Sequence, residues 1–229
     1  MTGGDEVQHA TVPAGLLSDP AVRETTFVVL DFEGTTPRGY SPEPIELAAV
    51  GLRRAGDGWE RVLTFSALMR PPAHAPLTGF DTAQTGITAA MLAGRPGAGA
   101  VLAEFDAGLT SPPYLLVAHN AATEGGMIFR YRDHCPTLAG THLLDTVKLA
   151  RLLIPDAPRH GLDGLIDHLG IPRPPDRHRA MPDVEVTITL FEHLMDLAAA
   201  DPHLRTLSTV SKVCGATAKA TLPIQDAIF

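Results

Sequence analysis

The sequence of 229 residues predicts an α/β fold built on one sheet of mixed strand direction. Three apolar stretches of strand length come first, and turn residues between the second and the third indicate an antiparallel meander. Two further strand-like stretches then alternate with helical ones, a pattern typical of parallel strands joined by helices. We therefore expect five strands in a single mixed sheet that is flanked by helices.

The strands are predicted from short apolar runs that end at turn residues or polar residues. Gly56-Asp57-Gly58 lies between the second and third runs and is typical of a hairpin turn. The fourth run, YLLVAHN, ends in polar residues. The predicted strands cover residues 27–31, 46–54, 60–69, 114–120 and 141–146.

The helices are predicted from apolar residues at helical spacing and from residues that end helices. One short helix is expected in TAQTGITAAMLAGRP, where Gly94 and Pro96 end it. The last helix, over residues 183–199, has an apolar face formed by Val184, Ile188, Phe191, Met195 and Ala198. The remaining helices are predicted near residues 99–109, 123–134, 146–153 and 162–169.

The length suits a single domain with a sizeable core. We predict that this domain covers residues 26–200. Residues 1–25 are expected to be an N-terminal extension and residues 201–229 a C-terminal tail. No apolar run reaches the roughly 18 residues that a membrane span needs, and the polar start does not resemble a signal peptide. Cys135 and Cys214 lack metal-ligand spacing, so free thiols and a cytoplasmic location are expected.

The net charge of −8 argues against a protein that coats nucleic acid through a broad basic face. It leaves open an enzyme that takes nucleic acid into a cleft in which bound cations supply the positive charge. Acidic residues at the ends of strands and at the starts of helices are the candidates for such a cleft.

The first of these candidates are Asp31 and Glu33, which follow the apolar run from Phe27 to Leu30. Side chains two positions apart on a strand point to the same face, so both carboxylates project together. Two such charges repel, and one carboxylate stays protonated unless a cation lies between them. A solvated strand end that begins a turn is the alternative interpretation of this pair taken alone.

Two further stretches place polar residues at comparable positions. In LLVAHNAATEGGMI a strand ends at His119 and Asn120, and Glu124 lies in the first turn of the next helix. In DRHRAMPDVEV, His178 precedes Asp183 by five residues, and Asp183 lies in the first turn of the long helix. Each acid taken alone also fits an ordinary helix-start residue that interacts with the helix dipole.

Together these stretches provide four carboxylates and a histidine, the groups that two divalent metal ions and a general base require. Mg²⁺ or Mn²⁺ binds carboxylate oxygens and the phosphate oxygens of a substrate. Two such ions about 3.5–4 Å apart can stabilise both the attacking and the leaving oxygen of a displacement. An imidazole can deprotonate the attacking water near neutral pH.

The motifs DFE, AHNAATE and HRAMPD, in this order and spacing, resemble the three motifs of the DEDDh 3′–5′ exonucleases. The flanking sequences PIELAAVGL, TGITAAML, LLDTVKLAR and HGLDGLIDHLGI are also similar, and the resemblance covers about residues 26–198. The resemblance implies an RNase H-like fold with a five-stranded mixed sheet. It also implies hydrolysis from the 3′ end of single-stranded DNA or RNA, or of short oligonucleotides, with release of nucleoside 5′-monophosphates.

The resemblance further implies roles for individual residues. Two Mg²⁺ (or Mn²⁺) ions would be bound by Asp31, Glu33, Glu124 and Asp183. Asp31 would touch both ions, and His178 would be the general base. The predicted substrate contacts are Gly34, Thr35, His119, Asn120, Arg177 and Arg179. A solvated basic loop is the alternative for the two arginines.

The sequence departs from the family pattern at several positions. Glu124 stands where Asp is usual, and its longer side chain is expected to move the second metal or to reach it through water. Gly34 replaces a common threonine. Thr123 stands where an aromatic residue is common, and Thr85 where a histidine is common. Fine substrate preference, including DNA against RNA, is therefore left open.

Two other functions are consistent with the same residues. Glu124 and Gly34 also fit a nucleic-acid or nucleotide binding module whose active site has decayed. A hydrolase of a small nucleotide phosphodiester would use the same groups, because the metals recognise phosphate and not the rest of the ligand. The terminal QDAIF also resembles short peptides that dock on bacterial sliding clamps, so a clamp contact through the tail is a further expectation.

Overall fold

The computed structural model describes residues 15–175 and 177–219, and a six-stranded mixed sheet forms its centre. The strands are β1 (Thr26–Gly34), β2 (Pro44–Ala55), β3 (Gly58–Leu68), β4 (Tyr114–Ala118), β5 (His142–Asp145) and β6 (Gly215–Thr217). Their order across the sheet is β3-β2-β1-β4-β5-β6. The predicted mixed α/β sheet is confirmed, with six strands in place of five.

The strand pairing has the predicted antiparallel and parallel parts. β1, β2 and β3 form the antiparallel meander, and Gly56, with φ of 55°, provides the left-handed position of the turn. β1, β4 and β5 pair in parallel. Because the carboxyl ends of parallel strands meet at one edge of a sheet, residues at the ends of these three strands are brought together there.

Helices cover both faces of this sheet. In the described residues they are α1 (Pro20–Glu24), α2 (Gly79–Thr85), α3 (Ala89–Leu92), α4 (Ala98–Gly108), α5 (Ala121–Arg130), α6 (Pro136–Gly140), α7 (Thr146–Leu153), α8 (Leu162–Leu169), α9 (Ala180–Ala200) and α10 (Leu207–Cys214). One core cluster joins the sheet to α7, α8, α9 and α10. The second cluster joins the opposite face to α4, α5 and α6.

Alternation along β1 decides which of its side chains face which helices. Phe27 and Val29 lie in the core shared with α9, whereas Leu30 lies in the core on the opposite face. The strand period of two continues toward the end of β1. Asp31 and Glu33 therefore point to the face that α9 covers.

α9 packs on β1 through the apolar face that the sequence predicts. The ring of Phe191 lies 5.3 Å from that of Phe27 and 5.4 Å from that of Trp59, measured between centroids. The helix begins at Ala180, three residues before the predicted start. The core residues of this face are Val184, Ile188, Phe191, Met195 and Ala198. This packing holds the first turn of α9 over the end of β1.

Two helices, α2 and α3, replace the single helix predicted in TAQTGITAAMLAGRP. α2 ends at Gly86, which has φ of 71° and cannot continue a right-handed helix. Thr88 then caps α3, because its side chain accepts a hydrogen bond from the N–H of Met91. Turn chemistry at these two positions outweighs the helical pattern.

Ordered elements also lie outside the domain predicted over residues 26–200. Val22 of α1 and Val210 of α10 are fully buried. β6 pairs antiparallel with β5 and is a sixth strand beyond the five that the sequence predicts. Its three residues, Gly-Ala-Thr, are too few and too small to give a strand signal. The boundaries of the domain stay a prediction.

Three further expectations can be compared with the structure. Across the described ranges, no helix combines the length and the apolar character that crossing a membrane requires. Cys135 and Cys214 are both buried free thiols, as the sequence predicts. The QDAIF segment, to which the clamp contact is attributed, lies outside the described residues.

Candidate active site

Three acidic side chains meet where β1 ends: Asp31, Glu33 and Asp183. One carboxylate oxygen from each lies within 4.8 Å of the other two. Asp31 and Glu33 belong to the last residues of β1, and Asp183 lies in the first turn of α9. The i, i+2 spacing on a strand and the packing of α9 over that strand explain why these distant residues converge.

The proximity of these carboxylates disfavours their charged forms. Burial raises the pKa of Asp31 well above its usual value, and the charges of Glu124 and Glu33 raise it further. Burial, followed by the charge of Glu46, raises the pKa of Glu33 to about 7. A cation within the cluster would favour the charged carboxylates and reverse these shifts.

Glu124 lies in the first turn of α5, and only 4% of its surface is exposed. It is not a member of the three-carboxylate cluster, although its charge raises the pKa of Asp31. Burial raises the pKa of Glu124 itself to about 8. Within the described residues its buried Oε2 has no hydrogen-bond partner, so this oxygen is available to a ligand.

Arg177 places a positive charge beside these acids. Its Nη1 forms an ion pair with Asp183, and its Nε donates a hydrogen bond to Asp163 over 3.1 Å. Its charge lowers the pKa of Asp31 and of Glu33, but the effect of burial is larger for both. The arginine predicted to contact phosphate is therefore bound, in this structure, to a predicted metal ligand.

His178, the predicted general base, lies in the loop that leads directly into α9. Its backbone has φ of 66°, a left-handed conformation that is uncommon for residues other than glycine. Residues held in sparsely populated backbone conformations cluster at active sites and ligand-binding segments, which is consistent with the role predicted for His178. The side chain is half-buried, so it remains open to water.

Glu46 of β2 holds the start of α9, a role that its place in a predicted strand did not indicate. Its carboxylate accepts hydrogen bonds from Nε and Nη2 of Arg179, at 2.9 and 2.6 Å, and from the N–H of Ala180 at 3.0 Å. In the antiparallel register of β1 and β2, Glu46 lies directly opposite Glu33. An acid inside the apolar run PIELAAV was the available signal, since a buried carboxylate requires partners.

His119 and Asn120 shape the turn between β4 and α5. Nδ1 of His119 lies 2.9 Å from Oγ1 of Thr146, and burial lowers the pKa of His119 to about 4. Asn120 has φ of 73°, and its side-chain amide donates a hydrogen bond to Thr123 over 3.0 Å. Both side chains thus stabilise the connection to the helix that carries Glu124.

Gly34 and Thr35 follow the carboxylates of β1 in a closely packed segment. A Cβ atom at Gly34 would lie 2.9 Å from Cε of Met127, so Met127 fills the space that a larger residue would need. Thr35 is fully buried, and its Oγ1 accepts a hydrogen bond from the N–H of Glu43. The substrate contact predicted for Thr35 therefore has no exposed atom in this structure.

The donor set suits a hard divalent cation. Three carboxylates converge within 4.8 Å, and Glu124 nearby has an oxygen without a partner in the described part of the chain. The fold is a mixed sheet flanked by helices, with an acidic cluster at the end of its central strand. A site of this kind is suited to metal-assisted phosphoryl chemistry, so the protein is of the class of metal-dependent phosphoryl-transfer proteins.

A family model described as RNase_T, exonuclease, matches residues 28–191. The chain belongs to this exonuclease family. Members of the family are hydrolytic nucleases, and they normally use divalent metals. The resemblance inferred from the three motifs is thereby confirmed.

The relatives are mostly much longer proteins. The DNA polymerase III PolC-type of Oceanobacillus iheyensis is 35% identical over 173 residues, which cover 74% of this chain and 11% of that protein. The DNA polymerase III subunit epsilon-like protein of Rhodobacter capsulatus is 33% identical over 186 residues, covering 78% of this chain and 25% of that protein. This chain thus matches only a minor part of either relative.

One solved structure illustrates the shared fold. The nuclease domain of 3′hExo, a DEDDh family member bound to rAMP, matches with a TM-score of 0.67 at 18% identity. The match covers 80% of this chain and 96% of that domain. At this identity the likeness concerns the fold alone.

Proposed function

We propose that this protein is a two-metal 3′–5′ exonuclease that acts on single-stranded or short nucleic acid and releases nucleoside 5′-monophosphates. The observation that carries the proposal is the convergence of Asp31, Glu33 and Asp183 within 4.8 Å. Glu124 supplies the fourth carboxylate from the first turn of α5. Membership of the exonuclease family supports the class of reaction.

The four carboxylates would hold two Mg²⁺ or Mn²⁺ ions. Bound there, these ions would neutralise charge on the phosphate and stabilise the attacking and leaving oxygens. Without cations the same carboxylates would repel a phosphodiester. The resemblance to the family assigns contact with both ions to Asp31, and its place on the central strand beside Glu33 and Asp183 supports this role.

His178 is the proposed general base that takes the proton of the attacking water. Its loop continues into the first turn of α9, which Glu46 holds through Arg179 and Ala180. One helix start therefore positions both the base and the metal ligand Asp183. Arg177 would contact substrate phosphate only after it leaves Asp183, which a bound cation would favour by taking over that carboxylate.

The acidic net charge supports the preference for single-stranded or short substrates. Long duplexes bind proteins largely through neutralisation of many phosphates, and a chain of net charge −8 gains little from this effect. A screen that finds turnover only with a small nucleotide phosphodiester would instead favour the alternative hydrolase.

The test uses 5′-labelled single-stranded DNA and RNA of equal length with Mg²⁺, with Mn²⁺ and with EDTA. We expect a ladder of products that shortens from the 3′ end and disappears with EDTA. A duplex of the same length should be degraded at about one tenth of the single-strand rate, or more slowly still. Equal rates on duplex and single strand would remove the substrate preference and leave the reaction standing.

A binding module without activity is the second candidate, because Glu124 lies outside the three-carboxylate cluster. Absence of a ladder with either metal, together with retained oligonucleotide binding, would favour this module. Glu124→Asp would then be the decisive variant, since it restores the residue usual at this position. Recovery of the ladder in that variant would identify the longer side chain as the cause.

Divalent metal is expected to stabilise the protein more at pH 8 than at pH 5. The pKa values of Glu33 and Glu124 are raised to about 7 and about 8. The metal-free protein therefore loses stability as the pH rises from the usual pKa of a glutamate to these raised pKa values. Bound metal offsets the charges that form. At a concentration a hundred times Kd we expect Tm to rise by roughly 5–10 °C at pH 8.

Thermal unfolding followed with Mg²⁺ or EDTA at both pH values measures this effect. Asp196→Asn, which changes an exposed acid at the far end of α9, is the control and should retain the full increase. An equal rise in Tm at pH 5 and pH 8 would show that the cation binds away from these carboxylates.

A further inference from the structure

All three lysines of the chain line a single cavity. Lys148, Lys212 and Lys219 surround a volume of about 580 Å³, whereas the other fifteen basic side chains are arginines. The cavity lies beside β6 and α10 and includes the first residues of β4 and β5, Tyr114 and His142. The carboxylate cluster lies at the opposite, carboxyl end of the parallel strands. The cavity is therefore separate from the candidate active site.

No acid in the described part of the chain forms an ion pair with the lysines of this cavity. Among the described residues every ion pair uses arginine or histidine, as in Arg61 with Glu185, and none uses lysine. Nζ of Lys148 donates to the carbonyl oxygen of Gly215 over 3.3 Å. No acidic side chain from the described ranges lines the cavity. A concave surface lined by one sign of charge concentrates positive potential and attracts anions.

The remaining lining provides hydroxyl groups and an apolar wall. Ser208 and Ser211 are three residues apart on α10 and so lie on the same side of that helix. Leu115 and Leu207 provide apolar surface. The volume falls within the range of small-molecule sites, about 300–1,000 Å³. This lining fits a small anion that also carries an apolar or ring-shaped part.

We propose that this cavity is a second binding site, for a small molecule of the nucleoside monophosphate class. Lysine ammonium groups bind phosphate as compact point charges with three donors each, and serine hydroxyls can add further donors. The choice of a nucleotide rests on the proposed function, whose product belongs to this class. The preference for a phosphate group rests on the cavity alone.

The test is isothermal titration calorimetry of the full chain with AMP in EDTA, where a metal-dependent site does not contribute. We expect the affinity of the Lys148→Gln/Lys212→Gln variant for AMP to be lower than that of the wild type by a factor of about ten or more. The two-charge control Arg95→Gln/Arg132→Gln changes exposed arginines that do not line the cavity and should bind AMP like the wild type. Asp31→Asn should also bind it unchanged.

Three results would overturn the proposal. Loss of AMP binding in Asp31→Asn but not in the lysine variant would place the nucleotide in the candidate active site. Binding of a 3′-blocked oligonucleotide through the lysines, without binding of AMP or inorganic phosphate, would make the cavity a contact for a strand. Absence of AMP binding by the wild type at millimolar concentration would exclude this ligand. A protein without nuclease activity that still binds AMP through the lysines would contradict only the proposed function.

Discussion

Replacement of Asp31 by Asn is expected to lower nuclease activity by about 10³-fold or more and, at the same time, to stabilise the metal-free protein at pH 8. Both effects have one cause. Asp31 lies among Glu33, Glu124 and Asp183, and burial together with the neighbouring charges raises its pKa well above the usual value. Asparagine keeps the shape but removes the charge that a metal needs and that the metal-free site disfavours.

The sign of the stability change follows from linkage. A carboxylate with a raised pKa lowers the stability of the folded state once pH exceeds its usual value, so the gain in Tm from Asp31→Asn should grow from pH 4 to pH 8. Thermal unfolding in EDTA and 3′ degradation in Mg²⁺ measure the two effects. Asp196→Asn should change neither. Retention of more than a tenth of the activity in Asp31→Asn would contradict the role proposed for this residue.

The acidic cluster was predictable because local rules determine most of it. The alternation of β1 places Asp31 and Glu33 on one face, and the apolar positions of α9 place Asp183 at the start of a helix that packs on that face. These are patterns of period two and of three to four, which a sequence displays directly. The mixed sheet follows from the same patterns.

The residues that connect the elements were not predictable in the same way. Glu46 and Arg179 are 133 positions apart, and no local pattern pairs them. Met127 fills the space beside Gly34 from another helix, and β6 is a short strand defined by its pairing with β5 rather than by its own sequence. Such features depend on tertiary contact, which periodicity and propensity do not encode.

Glu46→Gln is expected to lower kcat by about 10–100-fold while metal binding persists. Glu46 accepts three hydrogen bonds, two from Arg179 and one from the N–H of Ala180, and so fixes the start of α9. His178 precedes this start and Asp183 follows it. A shift of about 1 Å at that point is enough to impair the alignment of base and metal ligand.

Metal affinity separates this positioning role from a role as a ligand. The charge of Glu46 raises the pKa of both Asp31 and Glu33, so its removal should let these carboxylates ionise more readily and bind metal at least as well. Calorimetric titration with Mn²⁺ measures the affinity, and 3′ degradation at saturating metal measures kcat. Glu60→Gln, an exposed acid on β3, is the control. Loss of metal binding in Glu46→Gln would instead make Glu46 part of the metal site.

Glu46→Ala should be more damaging than Glu46→Gln, because alanine leaves Arg179 without the carboxylate that it contacts in a largely buried position. Breaking a buried ion pair in this way costs about 3–5 kcal/mol, and the partial exposure of Arg179, 31% of its side chain, favours the lower end of that range. Glu46→Ala/Arg179→Ala also removes the arginine charge that lost this carboxylate, so part of the stability should return. If the double variant were as unstable as the sum of the single variants, the two side chains would act independently, and Glu46 would not hold α9 through Arg179.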